Sequence, residues 1–483
     1  MISLERIKQD KYEIVIGIET HVELLTKTKI FCNCSTQFGG KPNSQCCPIC
    51  TGMPGALPML NEKVLEKAIK LAIALNCKVS NISRFDRKNY SYPDLPKSYQ
   101  ISQLYMPIGR NGYLEINNIN KNRIGIHEIH MEEDAGKLIH EDVNTLIDYN
   151  RAGVPLIEIV SEPDISSSKE AVEYLEQLRY LLIDLGISDC KMQEGSFRAD
   201  INLSVREIES EKLGIRTEMK NLNSFKAVED AIEYESNRQI AVIENGGSII
   251  QETRRWDDNL KKSISMRVKE ESNDYRYFPD PDLPPIIISE TFINNIESNL
   301  PELRDEKINR YCNTWGIPLC EAEIIVSEKN LAKLFEETVK ITNMAKEVSN
   351  WIIMDTMRVL KDKKIHINDI KLRPENLAKL IIMIKDGKIN STIAKEVFDA
   401  IFDTNLDPVV YVKENDLIIV ENKEILREKI NAIIEENPQS VEDYKNGKKK
   451  VITYLIGKTM KVMAGQADPK KTSEIIKEIL EQL

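Results

Sequence analysis

The stretch His130-Met131-Glu132-Glu133-Asp134-Ala135-Gly136-Lys137 sets an imidazole and three consecutive acids beside a lysine, with apolar residues on both sides. Acids this dense near an interior are costly unless a cation sits among them. A second set lies in YEIVIGIETHVEL (Tyr12 to Leu24), where Tyr12, Ile14, Ile16, Ile18, Thr20, Val22 and Leu24 alternate with Glu19, His21 and Glu23. Strand periodicity puts those three polar side chains on one face, about 7 Å apart. Such a row either converges on a metal or is a solvated outer face. A third set, GSFRADINLSVR (Gly195 to Arg206), alternates an apolar row with Ser196, Arg198, Asp200, Asn202, Ser204 and Arg206. Arginines mixed with an acid and amides suit phosphate and sugar better than plain water. RTEMKNLNSF contributes Glu218, Lys220 and Asn221. Hard carboxylate oxygens with at most one imidazole suit Mg2+ or Mn2+. Cations beside such a metal suit anionic phosphates, the combination that phosphoryl transfer requires.

The cysteines point to a different metal. The chain has nine, and Cys32, Cys34, Cys46, Cys47 and Cys50 fall within nineteen residues. Cys32-x-Cys34 and Cys47-x-x-Cys50 offer four thiolates on two short loops, enough for a closed tetrahedral Zn2+ site. The alternative is a set of reduced, partly buried thiols, and Cys46 is an extra neighbour able to replace Cys47. Four thiolates leave no open position, so this zinc is expected to be structural and away from the chemistry.

The elements that must position these groups divide the chain in two. Up to about residue 290 the pattern alternates like strands with helices interspersed. From Thr291 onward it is helical in period and rich in Lys, Glu, Ile and Asn. Proline-rich Phe278 to Pro285 marks the junction, and a weaker joint lies at Asp403 to Leu417. YSYPDLP (Tyr90 to Pro96) and YRYFPDPDLP (Tyr275 to Pro284) are either rigid loops at the mouth of one cleft or a chance likeness of two turns.

With 483 residues, 41% hydrophobic and 30% charged, the chain reads as a soluble globular protein of a few domains. No apolar run reaches the ~20 residues of a membrane span, and the start lacks a secretion signal, so a cytoplasmic setting is expected. A net charge of −11 argues against a protein that coats DNA or RNA indiscriminately, but not against a local basic surface for one RNA. The basic excess is concentrated in the tail, where Lys445 to Leu483 holds nine lysines against four acids. It reads either as a helical domain with solvated lysines or as a phosphate-binding face. Negative findings narrow the class further. There is no G-x-x-x-x-G-K-[ST] loop, since IGKT (Ile456 to Thr459) has Ile452 where the first glycine belongs. G-x-G-x-x-G, H-E-x-x-H and a Gly/Ser-rich amidase loop are also missing.

IGIETHVEL, FDRKNYSYPDLPKSYQISQ, HMEEDAGK, NRAGVPLIEIVSEPD, KNLNSF, QETRRWDD and DYRYFPDPDLPP together resemble the B-subunit family of the tRNA-dependent amidotransferase GatCAB. SVEDYKNGKKK and MKVMAGQADP extend the likeness to the C-terminus. The resemblance implies an α+β chain: a glutamine-synthetase-like cradle with a zinc-binding insertion over 1–292, an all-α helical domain over 293–405 and a YqeY-like, tRNA-binding α tail over 406–483. It implies that Glu-tRNA(Gln) or Asp-tRNA(Asn) is activated at its side-chain carboxylate by ATP and amidated with ammonia. The ammonia comes from a glutaminase A subunit, clasped by a small C subunit (GatA and GatC). By the matched motifs, Glu19, His21, Glu132 and Glu133 hold catalytic Mg2+. Lys88, in DRKNY, falls at a tunnel lysine near Glu133 that helps deliver and deprotonate ammonia. Asp200 is a candidate for metal, and Arg198, Asn202 and Lys220 are candidates for phosphate and nucleotide. The likeness departs at Gln193 and Ala199, where an acid and a cysteine are more usual. A non-catalytic tRNA-binding scaffold and a free-standing metal-dependent hydrolase are the rival classes.

Overall fold

A computed structural model describes residues 11–116, 123–268, 274–419, 423–446, 448, 450–463 and 467–482. The chain forms two compact units, Met1–Leu303 and Arg304–Leu483.

The strands of the first unit begin with β1 (Tyr12–Glu23), β2 (Lys78–Val79), β3 (Ile82–Ser83), β4 (Asp86–Asn89), β5 (Tyr99–Ser102), β6 (Gly109–Glu115), β7 (Arg123–Glu133) and β8 (Lys137–His140). They continue with β9 (Thr145–Asp148), β10 (Pro155–Ser161), β11 (Phe197–Glu207), β12 (Thr217–Lys220), β13 (Glu252–Asp257), β14 (Lys262–Val268), β15 (Phe278–Pro279) and β16 (Ile286–Ile287). Its main helices are α1 (Glu62–Ala74), α2 (Ser168–Asp184), α3 (Phe225–Glu244) and α4 (Glu290–Ser298). Nine strands make one sheet in the order β14-β13-β12-β11-β1-β10-β7-β6-β2. All neighbours are antiparallel except the parallel pair β12 and β13.

Alternation explains why β1 sits at the centre. Ile16, Ile18, Thr20 and Val22 are buried on one face, while Glu19, His21 and Glu23 stand half-buried on the other. Burying each of the apolar side chains contributes roughly 1.5–3 kcal/mol. A one-residue slip would expose them and bury the charged row, so the register is strongly specified. Strand β11 repeats the scheme, with Phe197, Ala199, Ile201 and Leu203 buried between half-buried Arg198, Asp200 and Asn202.

Helices cover the apolar face. Ser167 caps α2 by accepting from the Glu170 amide, and Ser224 caps α3 by accepting from the Ala227 amide. The buried stripes, Tyr174-Leu175-Leu178-Leu182 on α2 and Val228-Ala231-Ile232 on α3, recur at helical spacing and join the same core as β1. Helix α4 adds Ile296 to it.

The described part of the second unit is helical, so the whole chain is α+β. It has two separate apolar cores, one drawn from Ile308 to Val412 and one from Leu426 to Leu480. In the second of these, the helix Val451–Val462 buries Leu455 and packs Ile452, Ile456 and Met460. No described helix is long and apolar enough to cross a membrane.

Candidate active site and metal centre

One face of the nine-stranded sheet is apolar; the other carries the chemistry. Strand pairing aligns His130 on β7 with Glu158 on β10, Glu158 with His21 on β1, and His21 with Arg198 on β11. One step along, Glu19 aligns with Asp200, and Asn202 aligns with Glu218 on β12. Residues directly opposite in a ladder share a face, so four strands contribute to the first set and three to the second without any loop having to be ordered.

The three consecutive acids part company at the end of β7. Glu132 stays on the charged face, where its carboxylate lies 3.8 Å from His21 Nε2 and 3.9 Å from His130 Nε2. Glu133, one residue on, turns to the opposite side, where Lys97 Nζ and the Ile101 amide (2.9 Å) donate to its Oε1. Asp134 accepts from Arg198 (3.0 Å) and lies 3.5 Å from Arg151 Nε. Each acid thus has its own cations. Lys137, the lysine of the motif, points to solvent and serves none of them.

Glu158 is the centrepiece of the first cluster. Its Oε2 lies 3.4 Å from His21 Nε2 and 3.1 Å from His130 Nε2. Burial pushes both imidazoles down, but Glu158, with Glu132 and (for His130) Glu128, more than reverses this. His21 is raised to about 9 and His130 to about 10. Burial raises Glu158 as well, yet the two imidazoles, His130 first, hold it well below the carboxylate range. Glu132 is raised, by burial and then by its neighbour Glu158.

His21, Glu132 and Glu158 offer ligand atoms within 4.8 Å of one another, as do Glu19, Asp200 and Glu218. Carboxylate oxygens with one imidazole fit Mg2+ or Mn2+. In the second set Asn202 donates to Glu19 (2.9 Å), while Lys220 Nζ bonds both Asp200 and Glu218 (3.0 Å to the latter). Beside Glu19 and Asn202 opens a cavity of about 230 Å³ walled by Val15, Val160 and Leu213.

Lys88 approaches the first cluster from a separate three-stranded sheet, β15-β4-β5. Its charge acts on Glu132, and its Nζ lies 5.1 Å from the centre of the Tyr275 ring. The two Tyr/Pro/Asp turns meet here. Strand β15 pairs with β4, Asn89 N donates to Tyr275 O (2.9 Å), and Arg87 binds Asp280 (2.8 Å) and Asp282 (2.7 Å). The rings of Tyr90 and Tyr275 lie 5.8 Å apart.

Cys32, Cys34, Cys47 and Cys50 offer sulfurs within 4.8 Å of one another, while Cys46 lies outside that group. The Thr28–Ser35 bridge closes one loop around Cys32 and Cys34, and the Cys47 amide donates to Cys50 Sγ (3.1 Å) across the other. Four converging thiols fit a tetrahedral Zn2+. The cluster is not remote: Cys32 and Cys50 line the same cavity of about 210 Å³ as Glu133, Lys97 and Lys29.

The residues singled out from the sequence therefore fall into four places. His21 and Glu132 lie together, Glu19, Asp200, Asn202 and Lys220 beside them, Arg198 against Asp134, and Glu133 with Lys97 at the cavity of the cysteines. Glu158, Lys97 and Arg151 were not singled out. The signal for Glu158 was its standing as the lone charge in PLIEIVS.

Comparison with known proteins matches the same regions. The family model of the GatB/GatE catalytic domain matches residues 14–294, and that of the GatB domain of the Yqey type matches residues 333–480. The B subunit of the aspartyl/glutamyl-tRNA(Asn/Gln) amidotransferase from Lachnoclostridium phytofermentans is 57% identical over 473 residues, 97% of this chain and 99% of that protein. Its counterpart of the same name from Agathobacter rectalis is 54% identical over 473 residues, 97% of this chain and 99% of its own. That from Caldicellulosiruptor bescii is 52% identical over 479 residues, 98% of this chain and all of its own. Likeness of this extent, end to end and across both domain types, leaves one conclusion: the chain belongs to the GatB family of amidotransferase B subunits.

Proposed function

We propose that this chain is the kinase-and-amidation subunit of a tRNA-dependent amidotransferase, working in the cytoplasm with a glutaminase A subunit and a small C subunit. Its substrates are Glu-tRNA(Gln), Asp-tRNA(Asn) or both, with ATP. The γ-phosphoryl group passes to the side-chain carboxylate, ammonia attacks the acyl phosphate, and inorganic phosphate leaves as the amide forms. The observation that carries this reading is the charged sheet face, where two carboxylate sets, one with His21, stand beside Arg198 and Lys220. A solvated outer face does not require acids from five strands to converge.

In this reading His21, Glu132 and Glu158 hold one Mg2+, and Glu19, Asp200 and Glu218 line the place of a second or of a phosphate-bound one. Bound Mg2+ supplies neutralisation of the β- and γ-phosphate oxygens. Arg198, Asn202 and Lys220 orient the phosphates and ribose, and the cleft walled by Val15, Val160 and Leu213 takes the base. Lys88, next to Glu132, and Glu133, joined to Lys97, receive and deprotonate the incoming ammonia. Cys32, Cys34, Cys47 and Cys50 hold a structural Zn2+. The basic tail grips the tRNA through its phosphates.

The test is the reconstituted complex assayed with each mischarged tRNA. Amide formation that needs both ATP and Mg2+, together with inertness of the isolated chain towards glutamine, is expected. Turnover of a substrate by the isolated chain alone would mark a hydrolase. Binding of tRNA without ATP consumption would mark a scaffold.

A further inference from the structure

Lys29 is completely buried, 0% exposed, on the loop just before Cys32. Its ammonium donates to the Tyr149 carbonyl (3.3 Å) and to Cys50 Sγ (3.7 Å). Among the described residues no carboxylate comes within 4.0 Å of it. Glu133, which lines the same cavity, is already bonded to Lys97 and the Ile101 amide. An ammonium buried without a carboxylate needs another anion beside it, and the one within hydrogen-bond reach is the Cys50 sulfur. Gly153, whose φ of +83° favours glycine, packs against both, with its Cβ position 3.4 Å from Cys50 Cβ and 3.5 Å from Lys29 Cδ.

We infer that Lys29 is the counter-ion of a dianionic tetrathiolate centre, donating an N–H···S hydrogen bond to the Cys50 thiolate and closing the side of the metal that faces the cavity. The inference rests on the zinc reading above. Four thiolates around a divalent cation carry a net charge of −2, and one buried ammonium at hydrogen-bond reach of one sulfur halves it. The same contact explains why a buried lysine is tolerated: the metal-loaded cluster supplies the anion that no carboxylate does. A donor on a ligating sulfur fixes the ligand's orientation and disfavours its protonation and loss. Lys29 is therefore a positioning residue for the metal, not a ligand.

The experiment compares full-length wild type with Lys29→Met, zinc-loaded and after removal of the metal under reducing conditions. In the loaded state Lys29→Met should give up zinc to a coloured chelator roughly 10- to 100-fold faster, as expected for a lost outer-shell partner, and should melt below wild type. In the metal-free state the difference should shrink or vanish, because Lys29 then no longer faces a cluster of four thiolates. Should Lys29→Met not fold, Lys29→Gln carries the same prediction, with a smaller effect on release because it keeps an N–H donor. Wild-type release rates in the variant, or an equal drop in melting temperature in both metal states, overturn the inference while leaving the zinc reading intact. A wild-type chain that binds no zinc overturns both.

Discussion

Substituting Glu158 by glutamine separates the proton chemistry of the His21 cluster from its metal chemistry. The Glu158 carboxylate stands between His21 Nε2 (3.4 Å) and His130 Nε2 (3.1 Å), and it is the main reason both rings keep a proton. With His21 raised to about 9, the folded protein holds that proton by roughly 3 kcal/mol more than a free imidazole does. A divalent cation that takes His21 Nε2 must displace it. At pH 7.5 this lowers apparent Mg2+ affinity about 30-fold, and affinity should climb close to tenfold per pH unit from 7 until it levels near 9. The sign for stability follows from the raised value. In the metal-free chain the contribution of His21 is complete below about pH 6.5 and is lost as pH rises through 9, whereas the Mg2+-loaded chain lacks that decline. The gap in melting temperature between the two forms should therefore widen from pH 7 to 9. Titration calorimetry in buffers of different ionisation enthalpy reads the proton directly: about one released per Mg2+ at pH 7.5 and almost none at pH 10. In Glu158→Gln the imidazoles lose their anion, so proton release at pH 7.5 should collapse and the slope above pH 7 flatten. Affinity at pH 9 should also weaken, one carboxylate being gone. A wild-type affinity that is flat from pH 7 to 9, or a variant that keeps the wild-type slope, refutes the arrangement.

Glu132 and Glu133 should respond differently although adjacent. Glu132→Gln should cut γ-phosphate release with mischarged tRNA on the order of 100-fold or more, whereas Glu133→Gln should retain ATP turnover and lose amide formation; equal loss of phosphate release in both would place them in one centre. Cys50→Ser should bring bound zinc close to zero and lower the melting temperature, and elemental analysis of anaerobically purified wild type showing no near-stoichiometric zinc would refute the metal. The tail is tested by truncation. Val412 is fully buried in the core drawn from Ile308 to Val412, so the cut belongs before the helix Lys423–Glu435 rather than at residue 406. Removing residues 423–483 should raise KM for charged tRNA and flatten the salt dependence of binding, because fewer counterions are released; ammonia-driven turnover at saturating tRNA should survive. Unchanged binding across salt concentrations assigns the tail another role.

Much of the chemistry was legible because it is local. A period of two is a property of the strand itself, so the apolar and charged rows of β1 and β11 follow from the order of residues alone. Cysteine spacing has the same character: Cys47-x-x-Cys50 is a short loop wherever it is placed, and both ends of the four-thiol set converge as the spacing predicts. The parity of β7 also lay in the sequence. Along one strand His130 and Glu132 must share a face and Glu133 must leave it, which reading the three acids as one group overlooked.

What the residues in order could not supply is which strands become neighbours and in what register. Glu158 looks like a misplaced charge in an apolar strand until β10 is set between β1 and β7, which makes it the anion for two imidazoles more than a hundred residues apart. Lys97 meets Glu133, and Lys29 meets Cys50, only because separate segments close on one cavity. The two Tyr/Pro/Asp turns, nearly two hundred residues apart, become one clasp through Arg87, Asp280 and Asp282. The physical reason is common to all of these. A side chain's direction is decided by its own backbone within a few residues, but the charge that neutralises it is decided by long-range pairing, whose free energy comes from burying the opposite, apolar face of the sheet.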